Sequence, residues 1–151
     1  AQVGREPEPD ELEGLTWASL KGGRKVSGAD AMRSLQELRM LNRVTLQAFE
    51  DIDVYLSPVL GTPVPMVGEM DPVRMEPRDV NRRQGEVFPF TPPFNFSGQP
   101  SLSLPLEQCA KGLPIGMMFT AKYADEATLF RLAAQLEKEA PWAGRRPRVW
   151  G

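Results

Sequence analysis

Ser101-Leu-Ser-Leu-Pro-Leu106 and Pro114-Ile-Gly-Met-Met-Phe-Thr-Ala121, separated by the turn-like stretch Glu107 to Leu113, decide how this chain is read. In the first run Leu102, Leu104 and Leu106 alternate with small residues. In the second, Ile115, Met117 and Phe119 share one face, and Gly116, Met118 and Thr120 share the other. A period of two belongs to strands, because successive side chains point to opposite faces. Two such runs across a short polar link predict an antiparallel hairpin. A third apolar run, Asp53-Val-Tyr-Leu-Ser-Pro-Val-Leu60, is short, β-favouring and bounded by turn residues. That pattern predicts a strand buried on both faces of a helix-covered sheet.

Helices flank these strands. Ser27 can cap a helix running to about Asp51, with Leu35, Leu38, Leu41, Val44 or Thr45, Ala48, Phe49 and Ile52 at helical spacing. Arg33, Glu37, Arg39, Arg43, Gln47 and Glu50 lie opposite, so one face is expected on a core. Asp125 can cap a last helix to about Ala140, with Leu129, Leu132, Ala133 and Leu136 inward and Pro141 as its stop. Residues 10–20 suggest a short helix capped by Asp10 and ended by Gly22-Gly23.

Residues 61–100 change character. Eight prolines and four glycines punctuate them, and only 77–87 looks helical, with Pro77 suited to the first helical position. A stretch this long and irregular is either functional or a sign of an incomplete domain. Three strands around such an excursion leave edges open and second faces uncovered, which makes a poor independent sheet. The expected class is α/β, with 1–26 as a lead-in and 27–151 as one incomplete domain.

Composition narrows the function more by exclusion. A net charge of -2, with both signs dispersed, gives no electrostatic reason to expect nucleic acid or an anionic membrane. The densest basic cluster, Arg145, Arg146 and Arg148, reads as a solvated tail. No apolar run approaches the roughly 20 residues of a membrane span, and the first residues have no signal-peptide core. The missing initiator Met suggests processing or a chain cut from something longer. Cys109 is the sole cysteine and is expected on a loop in a reducing, cytoplasmic setting. The chain has no histidine, which removes Ser-His-Asp and Cys-His catalysis within it. No phosphate-loop, dinucleotide or calcium-loop spacing occurs, so neither a metal nor a cofactor is expected.

Four stretches resemble one family. Asp53 to Pro58 resembles the strand of amidase signature enzymes that opens on Asp and closes on Pro. Phe94-Asn-Phe-Ser-Gly-Gln-Pro-Ser-Leu-Ser-Leu-Pro105 is similar to their Asn-x-Ser/Thr-Gly-x-Pro segment. Gly112-Leu-Pro-Ile-Gly116 matches their Gly-Leu-Pro-x-Gly hairpin, and Glu126 to Glu137 their following helix. The four occur in the family's order, and Phe88-Pro-Phe-Thr91 with Pro141-Trp142 adds a likeness to its 6-aminohexanoate cyclic-dimer hydrolase branch.

The resemblance implies a mixed, twisted sheet wrapped by helices, of which this chain supplies the C-terminal share. It also implies hydrolysis of non-peptide amide bonds by a Ser nucleophile, a bridging Ser and a Lys, without metal or cofactor. The family's Lys and Ser-rich loop lie in the half that precedes this segment, so no catalytic residue is assigned here. Ser101 and Ser103 read as small residues on a crowded sheet face, and Ser57 and Ser97 as strand-end and turn residues. Lys21, Lys25, Lys111, Lys122 and Lys138 fall in polar segments, without the burial a catalytic Lys needs. The resemblance places residues 61–95 over the active-site mouth, with Phe88, Phe90 and Phe94 as candidate substrate-binding walls. Core or interface packing is the competing role for these rings, while Asn95 and Gly98 read as structural. The implied partners are a small amide substrate and the N-terminal half of the enzyme, and the uncovered strands add a homo-oligomer as one way to supply the missing cover. The alternative is a truncated, non-catalytic domain with a binding or structural role.

Overall fold

The structure is a computed structural model and describes residues 4–147. A 3-10 turn at Pro9–Glu11 precedes α1 (Gly14–Gly23) and α2 (Gly28–Gln47). Then come β1 (Val54–Pro58), α3 (Pro77–Val87), α4 (Pro92–Ser97), β2 (Ser101–Gln108), β3 (Pro114–Ala121) and α5 (Glu126–Glu139). The strands stand in the order β1-β3-β2, and both pairings are antiparallel. The α/β class and the hairpin hold, and the three described strands pair antiparallel throughout.

Register fixes two unlike faces. Phe119 lies between Leu56 and Leu102, so that face is apolar. Along it Leu104, Phe119 and Ala121 are buried with Leu129 of α5, and Leu132, Leu136 and Trp142 pack around them. The other face joins Tyr55 and Ser101 through Thr120, and Ser57 and Ser103 through Met118. It is a small, hydroxyl-rich face. The pairing of β2 with β3 slips between Leu104 and Glu107, around Pro105, which has no N–H to give a ladder. Arg145 Nη1 donates to the carbonyls of Pro105 and Leu106, at 2.9 and 3.1 Å. Arg145 is therefore a tie on the irregular strand rather than part of a solvated tail; Arg148 lies outside the described residues.

The helix ends follow their capping chemistry. Ser27 Oγ accepts from the Asp30 N–H at 3.1 Å, and Asp125 Oδ1 from the Thr128 N–H at 3.2 Å. Pro77 opens α3 as its sequence predicts. Asp10 does not cap α1, because Pro9–Glu11 form their own turn and Glu13 occupies the cap position. The sequence also conceals α4, whose Pro92-Pro93 start reads as a breaker although proline suits a first turn. Gly98 ends α4 at φ +73°, the left-handed conformation that favours glycine.

Two packing expectations fail. No residue within α2 is buried, and only Phe49 just beyond it is, at 5% exposure. β1 is not covered on both faces either, since Tyr55 and Leu56 are exposed. α4 covers only one line of α2, and Phe49 and Phe94 pack beside Tyr55, so both elements stay largely exposed among the described residues.

Candidate functional site

The three phenylalanines lie where the irregular excursion returns to the sheet. The chain leaving β1 crosses the end of α3, where the Gly61 N–H donates to Val87 O at 2.9 Å. A Cβ on Gly61 would sit 2.6 Å from Glu86 O and 2.7 Å from a Pro89 ring carbon, so glycine permits the approach. This crossing fixes the backbone next to Phe88, which is 37% exposed. Phe90 is half-buried at the approach to α4. Phe94 belongs to an aromatic trio, 6.1 Å edge-on from Phe49 and 5.8 Å from Tyr55 between ring centroids. Of the three, Phe94 is anchored against α2 and the hydroxyl-rich face, and Phe88 presents the most ring to solvent.

The excursion is held to α3 by charge. Arg83 Nε donates to Glu69 Oε1 at 2.8 Å, and the Met66 N–H donates to Glu69 Oε2 at 2.8 Å. The Met66 N–H and then Arg83 hold the Glu69 carboxyl below its ordinary value. Arg83 also reaches Glu86 Oε2 at 3.0 Å.

A groove of about 650 Å³ opens between the chain after β1 and the hairpin turn. Leu60, Val64 and Met66 form one wall, and Leu113 and Ile115 the other, with Cys109 at its side. The three phenylalanines do not line it. Sequence reading missed this groove because its apolar residues are scattered among the prolines of 58–66, without a period. Cys109 sits in a tight turn where Gly112, at φ +78°, donates its N–H to Cys109 O at 2.8 Å. The Lys111 N–H and then the Leu113 N–H hold the thiol below its ordinary pKa.

Local contacts account for Ser97, Ser101 and Ser103. Ser101 Oγ lies 2.7 Å from Thr120 Oγ1. A Cβ on Gly116 would meet Ser103 Oγ at 2.9 Å, so that stretch of the sheet has no room for larger side chains. Ser97 Oγ donates to Gln99 Oε1 at 3.0 Å, and Gln99 Nε2 donates to Ala121 O at 2.9 Å. Ser57 is buried and its hydroxyl has no hydrogen-bond partner among the described residues. Lys122 Nζ donates to Glu50 O at 3.2 Å, and Lys21 stands 6.0 Å from the Trp17 ring centroid. Among the described residues no lysine is hydrogen-bonded to a serine, and no group of three or more His, Cys, Asp or Glu could hold a metal ion. No helix among them is long and apolar enough to cross a membrane.

Comparison with known proteins adds the missing scale. A protein-family model described as Amidase matches residues 7–130. The 6-aminohexanoate-cyclic-dimer hydrolase of Paenarthrobacter ureafaciens is 32% identical over 155 residues, covering 97% of this chain and 31% of that protein. The hydrolase of the same name from Pseudomonas sp. strain NK87 is 33% identical over 153 residues, with 97% and 31% covered. A solved structure of 6-aminohexanoate cyclic dimer hydrolase complexed with substrate matches with a TM-score of 0.86 at 33% identity. It covers 97% of this chain and 32% of that one. The chain therefore spans less than a third of the length of these proteins.

Proposed function

The chain belongs to the amidase family, and from that premise we propose that it is the C-terminal part of an enzyme hydrolysing non-peptide amide bonds. Residues 27–151 form the last part of the catalytic domain, and 1–26 lead into it. The observation that carries the proposal is similarity, across 97% of the chain, to hydrolases named for the cyclic dimer of 6-aminohexanoate. The substrate class is accordingly a small, aliphatic, linear or cyclic amide, and the setting is the cytoplasm.

The chemistry comes from polypeptide outside this chain. A Ser hydroxyl attacks the amide carbon while a neutral Lys draws its proton through a bridging Ser. Backbone N–H groups hold the oxyanion as the tetrahedral intermediate forms. The C–N bond then breaks, the amine leaves with a proton, and water releases the acyl group from Ser. Phe88, Phe90 and Phe94 form the apolar wall of the mouth, with the Phe94 trio setting the ring positions and Phe88 nearest the substrate. Packing of Ser101 and Ser103 against Thr120 and Gly116 supports a structural role for both.

The test assays 6-aminohexanoate cyclic dimer with the chain alone, and with the part of the Paenarthrobacter hydrolase that it does not cover. Turnover should arise only from the mixture, and Phe88→Ala should raise KM more than it lowers kcat. Turnover by the chain alone that disappears in Ser101→Ala or Ser103→Ala would overturn the proposal. Assembly without turnover would favour a non-catalytic domain instead.

A further inference from the structure

The apolar side chains of α2 fall in three lines along the helix. Leu38, Asn42, Thr45 and then Phe49 face α4, where Asn42 Nδ2 donates to Phe96 O at 2.7 Å. Leu41 and Val44 flank that line on one side, and Leu35 and Leu46 on the other. Both flanks are bare, with Leu41 64%, Val44 63% and Leu35 47% exposed. A 20-residue helix whose apolar arc is this wide is built to be surrounded. Contiguous apolar surface of this kind marks an interaction site.

Resting on the proposed function, we infer that both flanks of α2 are the docking surface for the rest of the amidase polypeptide. Two observations select that occupant over a second copy of this chain. The solved hydrolase holds the fold of this chain in 32% of its length, which leaves more than twice that mass to lie against it. The bare flanks also stand on opposite sides of the α4 contact. One helix-to-helix dimer seam covers one flank, whereas a surrounding domain covers both. α5 is the counterexample within the chain, since Leu129 is buried against the sheet and Leu132, Ala133 and Leu136 pack, partly buried, around it.

The test measures binding of this chain to the uncovered part of the Paenarthrobacter hydrolase, by size exclusion and by titration of a fluorescent label. The wild-type chain should bind. Leu41→Glu and Leu35→Glu should each weaken binding roughly tenfold or more, because each buries an unpaired charge in an apolar contact. Gln135→Glu, on the polar side of α5, should leave binding unchanged. Since these side chains are exposed in the lone chain, its circular dichroism should be the same for every variant. Failure of the wild type to bind, or wild-type binding by both flank variants, overturns the inference. So does a lone-chain dimer that Leu41→Glu dissolves. Binding without turnover sinks the proposed function and leaves the surface standing, while turnover that survives both flank variants does the reverse.

Discussion

α2 and α5 are both amphipathic and both begin at a side-chain cap, yet one lies bare and the other is covered. α5 buries Leu129 and packs the partly buried Leu132 and Leu136 on Leu104, Phe119 and Ala121, so its leucine stripe finds its contacts within this chain. α2 touches little beyond α4 and exposes Leu41 and Val44. The contrast teaches that a hydrophobic pattern gives the direction of a face and not what lies on it. Sequence supplies the stripe; only the rest of the fold supplies the cover.

The largest expected effect lies on the covered side. Leu129→Ala removes a side chain 3% exposed and should cost about 2–5 kcal/mol in urea unfolding, as truncations in cores do. A change below about 1 kcal/mol would mean that α5 is as loosely attached as α2, and the contrast would collapse. Next comes the crossing that positions Phe88. Gly61→Ala forces a methyl against Glu86 O and Pro89 and should cost about 1–3 kcal/mol.

What could be read in advance follows the same division. The β2–β3 hairpin, α5 with its Asp125 cap, and the start of α3 at Pro77 were legible because local period and capping chemistry determine them. So was the family, because Asp53 to Pro58, Phe94 to Pro105 and Gly112 to Gly116 carry short motifs in a fixed order, and the matched residues 7–130 agree. The six-residue α4 was not legible, because Pro92 and Pro93 signal a break and a first turn alike. The exposure of α2 was hidden for a different reason: periodicity gives the direction of an apolar face and never its occupant. The groove walls, drawn from 58–66 and 109–116, meet only through tertiary structure.

A smaller effect distinguishes the caps. The Thr128 hydroxyl, followed by its N–H and nearby cations, holds the Asp125 carboxyl below its ordinary value of 3.8. The carboxylate is favoured in the folded state, so its contribution is full above that value and is lost as pH falls through the lower folded pKa. Asp125→Asn should flatten the acid limb of the stability profile while keeping a capping oxygen; an unchanged limb would remove Asp125 from the account. The smallest effect belongs to the bare side. Leu41→Ala should change the stability of the lone chain by less than about 0.5 kcal/mol, and a larger loss would show that α2 is already packed.

Hydrogen exchange, followed residue by residue with and without the uncovered part of the Paenarthrobacter hydrolase, tests the central claim most directly. In the lone chain, amides of β2, β3 and α5 should be protected and those of α2 should exchange quickly. With the partner, α2 should gain protection of roughly tenfold or more while α5 changes little. Protection of α2 equal to that of α5 in the lone chain, and unchanged by the partner, would contradict the account: the chain would be a self-contained domain rather than one part of an amidase.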